Sequence, residues 1–117
     1  MKLSVRVTET AGAAILYLSG RICFREEAAL FSRIATSFLS SGKHLILELS
    51  KVENLDSAGI GQLVLLHMQA CAAGCEVCMV APSKPVLDML ELTNVALLFS
   101  VCPTLDAALT SVAGEVA

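Results

Sequence analysis

Leu45-Ile46-Leu47-Glu48-Leu49 and, three residues on, Val52-Glu53-Asn54-Leu55-Asp56-Ser57-Ala58-Gly59-Ile60-Gly61-Gln62-Leu63-Val64-Leu65-Leu66 decide how the chain folds. The first run is almost wholly apolar, as a parallel strand covered on both faces requires. The second run passes into an apolar helix that carries on toward Cys71, so Asp56 and Ser57 fall at a strand-to-helix junction. Backbone N–H groups at a helix start have no partner within the helix, and the helix dipole adds partial positive charge there. The spacing predicts open donors at Ala58, Gly59 and Ile60, with Ser57 as the hydroxyl placed to present a phosphate to them. Gly59 and Gly61 each cost about 1 kcal/mol relative to alanine in a helix. Their presence implies a bare patch of backbone that a neighbouring strand or a partner protein approaches closely. A plain N-cap role for Ser57, worth roughly 1 kcal/mol, with the glycines serving internal packing, accounts for the same residues.

Working outward, Leu3 to Thr8 alternates Leu3, Val5 and Val7 against polar neighbours, the pattern of an outer strand with one wet face. The segment from Glu9 to Gly12 is a turn, and Ala13 to Ser19 forms the second arm of a hairpin, broken at Gly20. A helix is expected over 26–40, with Leu30, Phe31, Ile34, Phe38 and Leu39 on its apolar side. Glu26 and Glu27 in its first turn suit the helix dipole. The helix opening at Ser57 should present Ile60, Leu63, Val64, His67, Met68 and Cys71 on one face and close at Gly74. Cys75 to Ala81 reads as a further buried strand, and Ser83 as the cap of a short helix over 86–92, with Pro85 in its first turn. Leu97 to Val101 is the expected last strand, and Thr104 caps a closing helix with Leu105, Ala108, Leu109 and Val112 on one face. A frayed tail is expected over 113–117. The order of elements gives an α/β layered domain, a mixed sheet of about five strands with about four helices.

Composition bounds the function. The 117 residues suit one domain, 1–117, able to bury a core without metal or disulfide staples. Hydrophobic residues make up 56%, and mean hydropathy is +0.74, which points to an unusually large core or to apolar surface meant for a partner. No apolar stretch reaches the ~20 residues needed to span a bilayer, and the charges of Lys2 and Arg6 do not suit a secretory signal. A cytoplasmic protein without direct membrane insertion is expected. A net charge of −3 with scattered Lys and Arg argues against nucleic acid as a partner. Five cysteines, an odd number, read as reduced thiols.

No enzyme is expected. Cys71, Cys75 and Cys78 match an iron–sulfur spacing on paper, yet they fall on a helix and on opposite faces of a strand, so no metal and no cofactor are expected. Ser57 lacks the G-x-S-x-G setting of a hydrolase nucleophile, since position 55 is Leu55. His44 starts a strand on the far side of the sheet, and His67 lies deep in the apolar helix as a core or interface residue. A phosphate-binding G-x-x-x-x-G-K-[ST] loop is absent.

The segment from Leu47 to Leu63, with its Asp56-Ser57-Ala58-Gly59 centre, resembles the signature of STAS domains, the fold of anti-sigma factor antagonists and sulfate-transporter tails. Val86-Leu87-Asp88-Met89-Leu90-Glu91-Leu92-Thr93, Leu97-Leu98-Phe99 and Thr104-Leu105-Asp106-Ala107-Ala108-Leu109 are similar to the family's second half. The resemblance implies a regulatory binding protein of the antagonist type. Ser57 would be phosphorylated by an anti-sigma factor that is also a serine kinase of the histidine-kinase-like ATPase type, and a phosphatase would reverse this. Partner contact is implied at Asp56, Ser57, Ala58, Gly59, Ile60 and Gly61, with Cys23 from the loop after the second strand; Asp56 would position the Ser57 hydroxyl or meet the kinase's magnesium nucleotide. Many antagonists carry an acidic residue in that loop, and here Gly20-Arg21-Ile22-Cys23-Phe24 has none before Glu26. The alternative is a STAS scaffold that does not switch, in a membrane-lipid ABC transport complex or another signalling assembly.

Overall fold

The computed structural model describes residues 2–116, and the side chains of 113–116 lie outside the described set. Five strands form one mixed sheet in the order β1-β2-β3-β4-β5, and four α-helices accompany it, as the sequence predicts. β1 (Ser4–Glu9) pairs antiparallel with β2 (Ala13–Ile22) as the edge hairpin, while β3 (His44–Leu55), β4 (Val77–Val80) and β5 (Ser100–Cys102) follow in parallel. The helices are α1 (Phe24–Ser40), α2 (Ser57–Ala73), α3 (Lys84–Leu92) and α4 (Leu105–Val116).

Alternation along the strands sorts their side chains to two faces. On one face Leu16, Leu18, Leu45, Leu47 and Met79 join Phe31 and Leu39 of α1, Leu63 and Leu66 of α2, and Val86 and Leu90 of α3. On the other, Ile15, Ile46, Cys78 and Val80 meet Ala108 and Val112 of α4. At roughly 1.5–3 kcal/mol for each fully buried large apolar side chain, the three-helix face carries most of the hydrophobic stabilisation.

Several elements differ from expectation, each for a physical reason. β2 does not end at Gly20 but runs on to Ile22. Gly20 has φ +91, and a Cβ there would sit 2.1 Å from the Lys2 carbonyl oxygen, so glycine is needed where the chain start crosses the strand. β3 continues six residues past Leu49 because its pairing with β2 slips between Tyr17 and Ser19 and again between Gly20 and Arg21. Each slip places an extra residue on β3, so the buried positions Leu49, Val52 and Leu55 recur every third residue and hide the strand from a period-2 pattern.

α1 starts at Phe24, ahead of the expected 26, and buries Ala28, Phe31, Ala35 and Leu39, leaving Leu30 exposed. α2 buries Gly59, Leu63, Leu66 and Ala70, so Met68 and Cys71, expected on the apolar face, are exposed. Gly74 closes α2 in the left-handed conformation, as expected. Ser83 precedes α3 but makes no side-chain cap; its hydroxyl instead donates to the carbonyl of Val52, tying the β4–α3 loop to the bulged end of β3. The expected last strand over 97–101 is replaced by a 3-10 turn, Val95–Leu98, which opens at Asn94 in the left-handed region, and β5 begins only at Ser100. The Thr104 hydroxyl accepts from the Ala107 N–H at 3.2 Å, the cap foreseen for the closing helix. That helix runs to Val116, and Ala117, the last residue of the expected frayed tail, lies outside the described residues.

Gly20→Ala should destabilise the protein by about 2 kcal/mol or more, since it adds both a collision and a disfavoured backbone conformation. A urea unfolding midpoint unchanged from the parent would show that the crossing is not tight.

Candidate functional site

The C-terminal ends of β2 and β3 lie side by side, with Ile22 in register with Leu55, and α1 and α2 start directly after them. Asp56 is the N-cap of α2, in extended backbone, and Ser57 is the first helical residue. The cap role considered for Ser57 therefore belongs to Asp56. Its Oδ1 accepts from the Gly59 N–H at 3.1 Å, and its Oδ2 accepts from the Phe24 N–H at 2.9 Å. One carboxylate thus joins the heads of two helices. Burial pushes the Asp56 carboxyl up, but the N–H groups of Phe24, Gly59, Ala58 and its own residue outweigh this and hold it below the usual aspartate value.

The expected row of open donors is corrected by this geometry. Ile60 N–H makes the first helical bond, to the Asp56 carbonyl at 2.9 Å, and Gly59 and Ala58 face the Asp56 carboxylate. The helix start already holds an anion of its own. Both oxygens of that carboxylate accept from backbone, and no hydrogen bond joins it to the Ser57 hydroxyl. Ser57 is exposed, and no described side chain or backbone group hydrogen-bonds its hydroxyl.

The two glycines separate. A Cβ on Gly59 would lie 2.4 Å from the Ile22 carbonyl oxygen and 2.5 Å from Leu55 Cδ1, so Gly59 lets α2 press against the ends of β2 and β3. A Cβ on Gly61 would meet nothing within 4 Å, and the residue is exposed. Nothing within the chain requires glycine there. Ala58 and Ile60 are half-buried.

Cys23, expected at the partner surface, is 5% exposed and offers no thiol to a partner. Burial, and then the negative charges of Asp56 and Glu27, push that thiol above its ordinary value. The residue that the sequence did not single out is its neighbour Phe24. The residue is 56% exposed, the Arg21 guanidinium lies 4.7 Å from the ring centre, and Arg21 also pairs with Glu27 at 3.1 Å. Phe24 has φ 63, a left-handed conformation costing roughly 1–2 kcal/mol for a residue other than glycine. A hydrogen bond to a charged group is worth about 1.5–3 kcal/mol, enough to hold it there. The positive φ leaves no trace in the composition of the loop, because a phenylalanine in sequence argues for ordinary negative φ.

The remaining candidates disperse. His44 accepts from the Glu76 N–H at the start of β3, and His67 stands edge-on to Phe99 with its Nε2 3.7 Å from the Cys71 sulfur. Among the described residues no group of three or more His, Cys, Asp or Glu could hold a metal ion, and no helix is long and apolar enough to cross a membrane.

Two predictions follow from this geometry. Gly59→Ala should cost several kcal/mol through its backbone collision, whereas Gly61→Ala should stabilise α2 by up to about 1 kcal/mol, both read from urea unfolding. Asp56→Asn should cost about 1 kcal/mol or more at neutral pH. Because the folded carboxyl lies below its unfolded value of about 3.9, this contribution is complete above that pH and disappears as pH falls from there through the folded value. Unfolding midpoints of parent and Asp56→Asn should therefore converge below about pH 4, and a gap that stays constant into acid would contradict the role given to the carboxylate.

Comparison with known proteins places these features. The model of the STAS domain family matches residues 4–108. A Thermotoga neapolitana protein, named as a homologue of the anti-sigma factor antagonist TM1081, is 31% identical over 92 residues, covering 77% of this chain and 81% of its own. The crystal structure of the Thermotoga maritima protein, described by the same activity, superposes with a TM-score of 0.81 at 27% identity, covering 92% of this chain and 93% of the other. The Bacillus cell-fate determinant SpoIIAA shares the fold in its unphosphorylated form (TM-score 0.81, 16% identity, 95% and 97% covered) and in its phosphorylated form (0.73, 12%, 93% and 99%). An exposed serine opening α2, a capping aspartate before it and a five-stranded mixed sheet beneath thus occur in a chain that belongs to the STAS domain family.

Proposed function

We propose that this protein is an anti-sigma factor antagonist whose affinity for its partner is set by phosphorylation of Ser57. The observation that carries this reading is the Ser57 hydroxyl, exposed at the first residue of α2 and free of any hydrogen bond within the described chain. The partner is an anti-sigma factor with serine kinase activity. The Ser57 oxygen attacks the γ-phosphorus of its ATP, the β–γ bridging bond breaks, ADP leaves, and the hydroxyl proton passes to a base on the kinase. The protein is the substrate in that step rather than the enzyme, and a phosphatase resets it.

The surface around Ser57 suits a protein partner. Gly61, Leu65 and Met68 follow Ser57 along the outward side of α2, with Leu65 43% and Met68 61% exposed, and α2 carries no charged residue from Ser57 to Ala73. Such a face binds by burying apolar area and backbone. A phosphate brings nearly two negative charges to a helix start that Asp56 already occupies. The added charge is therefore carried outward into the partner contact instead of being absorbed by helix N–H groups, and a desolvated anion there is strongly unfavourable.

Incubation with the cognate kinase and ATP should place one phosphate on the Ser57 peptide, read by mass spectrometry, and Ser57→Ala should remove it. Ser57→Asp should weaken kinase binding by on the order of a hundredfold, about 2.7 kcal/mol, while Ser57→Ala keeps it. Retained binding by Ser57→Asp would favour a scaffold that does not switch.

A further inference from the structure

We propose that Cys71 is a site of reversible thiol–disulfide exchange with small disulfides that carry an ammonium group, His67 being the base that takes the thiol proton. The site lies near the far end of α2 from Ser57 and does not depend on how Ser57 is read.

The cysteines are not alike. Cys23 and Cys78 are buried, Cys75 and Cys102 are half-buried, and Cys71 is exposed. The Cys75 thiol donates to the Ala73 carbonyl at 3.7 Å, whereas the Cys71 sulfur stands 3.7 Å from Nε2 of His67, one helical turn earlier. The His67 ring is held edge-on to Phe99, with ring centres 5.7 Å apart. A nucleophile, a base within reach of it and a group that orients the base therefore occur together. His67, Cys71, Cys75, Glu76 and Leu98 line a groove of about 210 Å³ beside the end of α2 and the start of β4.

Glu76 sets the class of reagent. It is the acidic residue of that groove; its Oε1 accepts from the Ser100 hydroxyl at 3.2 Å, and its Oε2, buried, has no hydrogen-bond partner among the described residues. An anion so placed is costly, and a cation brought into the groove offsets the cost. An ammonium near the reacting sulfur is thus favoured and a carboxylate there is repelled. In the exchange the Cys71 sulfur attacks one sulfur of the disulfide as its proton passes to His67 Nε2. The reagent's S–S bond breaks, and the departing thiolate takes that proton and leaves as a thiol. Cys71 is oxidised to a mixed disulfide and the departing half of the reagent is reduced; a second thiol reverses the step. The product carries a positive charge on a helix that has no charged residue from Ser57 to Ala73, three residues past the exposed Met68.

The test treats the reduced full chain with cystamine, with the neutral bis(2-hydroxyethyl) disulfide and with the anionic dithiodiglycolate, and follows each cysteine by acid quench and fragmentation mass spectrometry. Cys71 should react on the order of tenfold faster than Cys75 or Cys102, and dithiothreitol should remove the adduct. His67→Gln should slow Cys71 by on the order of tenfold while leaving the rate at Cys102 unchanged, which separates loss of the base from general loosening of the fold. Cystamine should outpace the neutral reagent at Cys71 by on the order of threefold, and dithiodiglycolate should be slowest. Glu76→Gln should erase that order, whereas Glu53→Gln, an equal change in net charge on β3, should leave it. Equal rates at Cys71 and Cys102, or a Cys71 rate untouched by His67→Gln, overturn the site. A cystamine preference that survives Glu76→Gln overturns the class of reagent.

Discussion

A single carboxylate holds the functional end of the molecule together. Asp56 accepts from the Gly59 N–H in α2 and the Phe24 N–H at the head of α1, elements that begin more than thirty residues apart in sequence. Without it two helix starts, each with unpaired donors, would meet beside the ends of two parallel strands. Gly59 completes the arrangement by letting α2 approach the Ile22 carbonyl. The exposed Ser57 hydroxyl, the half-buried Ala58 and the strained Phe24 corner are all set by this junction.

The same carboxylate changes what a phosphate would encounter. An empty helix start is a ready cradle for an anion and would stabilise a phosphorylated serine in place. A helix start already capped by aspartate has little to offer, because the dipole is matched and the nearest donors are in use. The depressed Asp56 carboxyl says that this anion is itself well accommodated at neutral pH. Charge added next to it is therefore poorly absorbed inside the domain, which is the property a reversible, charge-operated binding surface requires.

Much of the fold was legible in the sequence, and what was not has local causes. The hairpin, the central strand and the Gly74 stop follow from alternation, from a run that is apolar but for Glu48 and from a left-handed cap. The end of β3 was hidden because two slips in register turn a period of two into a period of three at Leu49, Val52 and Leu55. The turn of α2 about its axis was misjudged because nearly every position is apolar, so no stripe stands out, and Gly59 rather than a larger residue sets the buried side. At the site, the position of Ser57 at the helix start could be read from the junction, but which residue caps could not: Asp56 and Ser57 are both good capping types, and only the second partner of Asp56, Phe24, decides between them.

The uncharged character of α2 links composition to surface. α2 buries Gly59, Leu63, Leu66 and Ala70 and packs Ile60 and Val64 partly against the same core, and helices of this kind place charge on the opposite side. Here Leu65 and Met68 stand on the exposed side instead, and Gly61 is kept where no neighbour within the chain requires it, at a cost of about 1 kcal/mol in helix propensity. High hydropathy is thus not explained by the core alone. The residues that exceed its needs continue from Ser57 along one line of the helix, so the surface that the hydroxyl would control and the surface that solvation disfavours are the same.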